Sequence, residues 1–146
     1  MKIINHYIHN KEITNLLFDQ CFFIIADTIL CIFFGFKARW YQLHVLGNTI
    51  VILNIINGTY NLYTDPYNNY RLLGDHSPSN LILAMHIHHV LFFKLNLMDY
   101  FHHILFVLLG IIPTILWVKT NQIYYGYIAC SGIPGVIEYT LLALMK

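Results

Sequence analysis

The sequence has few charged residues for its length. Asp, Glu, Lys and Arg together make up 10% of the 146 residues, whereas an ordinary soluble domain contains about 25%. Hydrophobic residues make up 58%, so too few polar groups remain to cover a water-exposed surface. The composition therefore excludes an ordinary soluble domain and indicates an all-α, multi-pass transmembrane helical bundle.

Basic clusters, disulfide-forming cysteines and a cleavable signal are also lacking. Lys and Arg are scattered singly and the formal net charge is +1, so there is no basic stripe of the kind that binds nucleic acid. Cys21 and Cys31 are roughly 15 Å apart along one predicted helix, too far for a disulfide. We interpret them, and Cys130, as small hydrophobic residues. No small-residue cleavage site follows the first apolar run, which we therefore expect to remain as a membrane span.

The positions of the apolar runs divide the chain into two predicted parts. These are a polar N-terminal segment, residues 1–15, and one transmembrane domain, residues 16–146, with about five spans. The third run is short for a bilayer that requires about twenty residues. We expect that span to reach full length by including residues 94–97. A polar loop that contains Asp75 and His76 precedes it. The five spans are expected at residues 16–36, 43–62, 79–93, 100–118 and 123–145.

Two acidic residues lie inside predicted spans. Asp27 is near the middle of the first span, where an acid costs about 2.5–3.5 kcal/mol on insertion scales, so we expect it to face protein or water in an internal cavity. Glu138 follows the sequence SGIPG, residues 131–135, which we expect to interrupt the fifth span. Broken membrane helices occur only where protein or a wet cavity satisfies the freed carbonyls. Pro113 is expected to kink the fourth span.

Histidines are concentrated in residues 81–118, which carry five of the nine in the chain. A short polar link at residues 94–99 joins two apolar helices there, so the helices must lie side by side and antiparallel. Neighbouring helix axes are roughly 8–10 Å apart. Imidazoles at the same depth on the two helices can therefore share one pocket, and the five candidates are His86, His88, His89, His102 and His103.

Asp99 precedes His102 by three residues and His103 by four, so its carboxylate lies near both rings on the first helical turn. A carboxylate in that position can orient a histidine that acts as a general base. Asp99 is equally well placed to cap the helix and to complement its dipole, and the sequence leaves both roles open. His102, His103 and Asp99 are the candidate catalytic residues.

The histidine spacing does not match the histidine motifs, or boxes, of two classes of membrane enzyme. Di-iron hydroxylases and desaturases carry several HxxxH and HxxHH boxes, and fatty-acid elongases carry an HxxHH box. Residues 86–89 read HxHH and residues 102–103 read HH. Both enzyme classes remain minor alternatives, and we assign no metal and no cofactor to the chain.

Three segments resemble the TLC-domain family, the ceramide-synthase-like membrane proteins. Residues 99–105, DYFHHIL, follow a helix with the sequence HIHHVLFFKL and resemble the double-histidine segment of that family. Residues 41–48 are similar to its aromatic-x-x-His-x-x-x-Asn helix start, with His44 and Asn48 at the two polar positions. Residues 131–146 add further similarity. The resemblance covers residues 37–146 and is closest to small members of the group.

The resemblance implies a multi-helix membrane fold with a lipid-sized cavity, an endoplasmic reticulum location, and acyl transfer from acyl-CoA to a sphingoid amine in the enzymes of the family. Those enzymes carry an arginine and two aspartates about one helix after the histidine pair, and no Arg or Asp follows His103 here. We therefore expect a protein that binds, senses or regulates membrane lipid. The alternative is an N-acyltransferase that uses His102 or His103. Family members often have more spans, so we expect a shortened form or a homo-oligomer. The residues expected to line the cavity are His44, Asn48, Asp27, His86, His89 and Glu138.

Overall fold

The architecture is that of a computed structural model, which describes residues 2–69, 77–118 and 120–146, apart from the side chains of residues 2–12 and 68–69. A short helical turn, Pro66–Asn69, follows the second long helix. The predicted loop residues Asp75 and His76 lie outside the described residues. The prediction of an all-α helical bundle is confirmed by five long helices in the described ranges: α1 (Lys2–Phe34), α2 (Arg39–Thr64), α3 (Ser77–Phe92), α4 (Leu97–Trp117) and α5 (Ile123–Leu144).

Three helices in the described part of the chain are long and apolar enough to cross a membrane: residues Ile13–Phe34 of α1, all of α4 and all of α5. Large apolar side chains on these helices face outward, as in Phe18, Ile32 and Leu109, which are 75%, 74% and 69% exposed. The buried set includes Asp27, Asn48 and several histidines. Apolar groups outside and polar groups inside are typical of an integral membrane protein.

Helix α3 is the interior helix of the bundle. It packs against α1, α2 and α4, and most of its 16 residues are buried. The predicted extension of this span through residues 94–97 is wrong, because α3 ends at Phe92 and α4 begins at Leu97. The start of α4 is fixed by a capping box in which the Asn96 side chain accepts from the backbone N–H of Asp99 at 3.0 Å and the Asp99 carboxylate accepts from the backbone N–H of Asn96 at 2.9 Å.

Helix α2 packs extensively against α5. Close approach depends on Gly58, where a Cβ atom would collide with the ring of Tyr124. Small residues at such crossings let membrane helices gain contact area. Buried Leu43, Val51 and Ile55 continue the same interior face of α2. Since residues four apart share a helix face, this packing also turns the polar residues of α2 into the bundle.

The two long helices with a proline in their interior stay continuous. In α4, residues Ile104–Ile111 form π-helical turns, and the α-helical pattern resumes around Pro113. In α5, residues Ile128–Gly132 do the same before Pro134. The expected interruption at residues 131–135 is therefore a widened, π-helical turn and not a break. In such a turn the backbone N–H groups bond to the carbonyl five residues earlier, and this spacing accommodates a proline, which has no N–H to donate.

Candidate functional site

A cavity of about 650 Å³ lies between α4 and α5, with α2 and α3 behind it. Its volume is within the range of about 300–1,000 Å³ that is usual for small-molecule sites. Helix α4 packs on α3, and α5 packs on α2, so the space separates the two outer helices. The polar residues among those that line it are His44, Asn48, His86, His102, Thr114, Tyr127, Ser131, Glu138 and Tyr139.

Five of the residues expected at the site from sequence lie around this cavity: His44, Asn48, His86, His102 and Glu138. They come from four different helices, so residues that are far apart in the sequence lie around one cavity. The other expected residues lie elsewhere. His89 is fully buried behind the cavity wall, and His103 lines a smaller pocket of about 300 Å³ between α3 and α4, which it shares with His86.

Five imidazoles form one group, which we call the histidine cluster: His44, His86, His89, His102 and His103. The ring of His86 stacks on that of His102 with centroids 5.5 Å apart, and meets His103 edge-on at 5.0 Å. His89 lies 6.0 Å from His103 and stacks on His44 at 4.3 Å. Four histidines of α3 and α4 therefore lie close together, and His44 of α2 joins them.

The backbone fixes the hydrogen positions on two rings of the cluster. Nδ1 of His44 lies 3.0 Å from the carbonyl oxygen of Trp40, and Nδ1 of His86 lies 2.8 Å from that of Ile82. A carbonyl can only accept, so each Nδ1 carries the hydrogen and each neutral ring keeps an accepting lone pair on Nε2. Nε2 of His86 is buried and has no hydrogen-bond partner among the described residues.

Other buried polar atoms in the same region are also unpaired. Both ring nitrogens of His89, both of His103 and Oδ1 of Asn48 have no partner in the described part of the chain. An unpaired buried polar group costs roughly 1–3 kcal/mol. Native proteins tolerate such groups mainly where water, an ion or a ligand completes them. The cluster therefore contains hydrogen-bonding atoms that the described chain does not itself pair.

Two aromatic residues hold the cluster in place. Trp40 stacks on His89 with ring centroids 4.1 Å apart, and Tyr139 stacks on His44 at the same distance. Tyr139 carries no signal in the sequence that connects it with a histidine. The available signal for Trp40 is that it precedes His44 by four residues, which places both on one face of α2.

Asp27 does not line the cavity, in contrast to the prediction. It is 4% exposed and faces protein, as expected for an acid within a span, but it belongs to a second polar group that we call the Asp27 cluster: Gln20, Asp27, Arg39 and His88. His88 Nε2 donates to the Asp27 carboxylate at 2.9 Å, and the Gln20 amide nitrogen lies 3.3 Å from His88 Nδ1.

Arg39 completes the Asp27 cluster. Its Nε donates to Oδ1 of Asp27 at 2.6 Å and its Nη2 donates to Oδ2. These bonds raise the pKa of Arg39, which is the first residue of α2 and lies outside the candidate spans. The guanidinium carbon is also 4.3 Å from the ring centroid of Phe93. The fork of two hydrogen bonds ties the start of α2 to the middle of α1.

Asp99 acts as a capping residue. Its carboxylate accepts from the backbone of Asn96, and no described hydrogen bond joins it to His102 or His103. The predicted orienting role is therefore not seen, and the helix N-cap is Asn96. The physical reason is that the backbone donors of the first turn compete directly for a carboxylate at this position.

Among the residues that the structure describes, no group of three or more His, Cys, Asp or Glu side chains is arranged to hold a metal ion. The described site therefore offers imidazole, amide, phenol and carboxyl groups beside apolar walls.

Comparison of the chain with protein-family models, with curated proteins and with solved structures gives no match.

Proposed function

We propose that this chain is a multi-pass membrane protein that binds, senses or regulates a membrane lipid in the cavity between α4 and α5, in line with its resemblance to the TLC-domain family. One observation carries the proposal: the cavity is amphipathic. Apolar residues such as Ile82, Met85 and Phe106 line it together with His86 and His102. A site with apolar walls and a few convergent polar groups suits a ligand with an apolar body and a small polar head.

The position of the cavity supports a lipid over a water-soluble ligand. Its two side walls, α4 and α5, are among the helices that are apolar enough to cross a membrane. We propose that α2 and α3 are embedded with them, which gives five spans, and that the protein resides in the endoplasmic reticulum and forms homo-oligomers. A ligand that reaches the cavity from the bilayer has already left water, so its chain needs no further desolvation.

Filling the cavity tests the proposal. Gly126 lines the cavity, and a Cβ atom there would meet nothing within 4 Å, so Gly126→Phe places a ring in free space. Ala129→Phe is the matched control, because Ala129 is exposed on the same helix and is not among the cavity residues. We expect mass spectrometry of detergent-purified protein to show a bound lipid that is lost in Gly126→Phe and retained in Ala129→Phe. Equal lipid content in the two variants would contradict the proposal.

Acyl transfer is the second candidate function. It is favoured by the placement of His102, which is half-buried, lines the cavity and takes part in no described hydrogen bond to another residue. A neutral imidazole in that position can accept a proton from a lipid amine or hydroxyl. Purified protein incubated with labelled acyl-CoA and long-chain bases tests this, with His102→Ala and His103→Ala assayed separately. Absence of product from the unmodified protein removes the enzymatic function and leaves lipid binding.

A further inference from the structure

The free polar atoms around the cavity are mostly hydrogen-bond acceptors. Nε2 of His86 and Oδ1 of Asn48 are unpaired, and both residues are more than nine-tenths buried, at 5% and 2% exposed. On His44 the hydrogen occupies Nδ1, so its Nε2 is an acceptor as well. These three acceptors belong to residues of two helices that line one cavity, and no donor to them is present among the described residues.

The cavity carries no positive charge among its described lining residues. Neither Lys nor Arg is present there, and Glu138 is the one residue of the lining that carries a formal charge at neutral pH. A carboxylate or phosphate head group would meet lone pairs and a carboxylate without a cation to neutralise it. Burial of an unpaired ionised group is far more costly than burial of a hydrogen-bonded hydroxyl. Anionic lipids are therefore poor candidates.

The cavity is large enough for a lipid chain. Its volume of about 650 Å³ lies within the range that is usual for small-molecule sites, and apolar residues such as Ile82, Met85 and Phe106 line it. An acyl-length chain therefore fits in this space.

We infer that the preferred ligand is a lipid alcohol, whose hydroxyl donates to the acceptors formed by His44, Asn48 and His86 while its chain lies along the apolar walls; this inference rests on the proposed lipid-binding function. A hydroxyl both donates and accepts a hydrogen bond, whereas an ammonium group only donates. The ring of His102 can supply the hydrogen bond that the hydroxyl accepts, from the same cavity. An ammonium group would leave this donor unused and would be buried as an ion pair with Glu138, for which the desolvation cost can exceed the attraction between the charges.

A head-group series tests the inference on the full chain in detergent. The probe is a radiolabelled saturated long-chain alcohol, and the competitors are the unlabelled alcohol and its methyl ether, carboxylic acid and primary amine of the same chain length. We expect the alcohol to compete at least three- to tenfold better than the ether, which keeps the chain and loses the donor; this range corresponds to one hydrogen bond. The acid and the amine should also compete less well than the alcohol.

Three results would overturn the inference while leaving lipid binding intact. They are equal competition by the ether, stronger competition by the acid, and stronger competition by the amine. If neither the probe nor any competitor binds, the proposed function itself fails. The two failures are therefore distinguishable from the same experiment.

A pair of isosteric variants locates the hydroxyl. Asn48→Leu removes an unpaired acceptor, whereas Thr49→Val removes a hydroxyl on the same helix that already donates to the carbonyl of Val45 at 2.7 Å and is not among the described cavity residues. We expect alcohol binding to fall about three- to tenfold in Asn48→Leu, with ether binding unchanged, and no change in Thr49→Val. Equal affinity of Asn48→Leu and the unmodified protein for the alcohol would contradict the assignment of Asn48. If Asn48→Leu does not fold, the head-group series on the unmodified protein still decides the inference.

Discussion

The Asp27 cluster and the histidine cluster are both polar groups buried in an apolar bundle, yet they differ in how completely they are paired. Both carboxylate oxygens of Asp27 accept hydrogen bonds, and both ring nitrogens of His88 have a polar neighbour. In the histidine cluster, by contrast, His89 and His103 have no partner for either nitrogen within the described chain. Within the described chain, one buried polar atom of the first cluster, Oε1 of Gln20, has no partner, whereas five ring nitrogens of the second cluster have none.

The difference teaches which buried polar residues to associate with function in this bundle. A saturated network holds helices together, and here it joins α1, α2 and α3. An unsaturated one leaves donors and acceptors available to another molecule. His88 and His89 show the contrast most directly, because consecutive helical residues point about 100° apart and so fall into different clusters. Four substitution experiments test whether this distinction holds.

The largest effect is expected for Asp27→Leu. This change leaves His88 Nε2 without its acceptor and Arg39 without its counter-ion. Removal of one partner from a buried ion pair typically costs about 3–5 kcal/mol, and the lower end applies here because the Arg39 side chain is 24% exposed. Denaturant unfolding of the detergent-solubilised protein measures the free energy of unfolding. Asp19→Leu is the control, since Asp19 lies on the same helix and enters no described hydrogen bond. An equal loss in both variants would show that the pairing of Asp27 is unimportant.

A second comparison uses the adjacent histidines. His88→Phe removes the hydrogen bond to Asp27 from the interior, so we expect the free energy of unfolding to fall by about 1–3 kcal/mol. His89→Phe keeps an aromatic ring between Trp40 and His44 and removes two unpaired nitrogens, so stability should be unchanged or higher. Thermal unfolding followed by circular dichroism measures both. A greater loss for His89→Phe than for His88→Phe would reverse the distinction between the clusters.

The third experiment asks how firmly the cavity acceptor Asn48 is held. A Cβ atom on Gly135 would collide with the Asn48 amide, whereas one on Gly126 would meet open space. Gly135→Ala should therefore cost about 1–3 kcal/mol through overpacking. Gly126→Ala should be neutral or stabilising by up to about 1 kcal/mol because alanine favours the helix. Equal unfolding free energies for the two variants would mean that Asn48 moves freely and is not preorganised.

The smallest effect is expected for Asp99→Ala. Loss of the capping carboxylate at the start of α4 should lower stability by about 0.3–1 kcal/mol, and the lipid content measured by mass spectrometry should stay unchanged. Asn96→Ala removes the other half of the same cap and serves as the control. If Asp99→Ala loses bound lipid and Asn96→Ala does not, then Asp99 acts on the histidines and the alternative orienting role is restored.

Helix positions in this protein follow closely from local sequence. Long apolar runs predicted α4, α5 and the apolar part of α1, Ile13–Phe34, to within a few residues, because a helix that must satisfy its backbone in an apolar environment continues until polar or capping residues stop it. Helix α1 itself begins at Lys2, inside the predicted polar segment of residues 1–15. The end of α3 was placed incorrectly because the Asn96–Asp99 capping box competes with continuation of the helix. The widened turn before Pro134 was predicted as a break, since a proline in sequence does not reveal whether the helix can adjust its hydrogen-bond spacing.

The candidate site was predictable in part. His86, His102, Glu138 and His44 were expected together, on histidine spacing and family resemblance. The partners of Asp27 were not, because Arg39 resembles an ordinary residue at a membrane boundary and His88 is indistinguishable in sequence from His89. Which of two neighbouring imidazoles faces a carboxylate depends on the rotation of α3 about its axis. That rotation is set by packing against three other helices.

The sequence alone determined that this chain is an apolar helical bundle with imidazoles and acids in its spans, because charge content and the length of apolar runs are local properties. Only the tertiary structure decided which of those groups are paired and which face the cavity. Pairing depends on contacts between residues as distant as Asp27 and His88 or His44 and Tyr139, which exist only after the helices have packed.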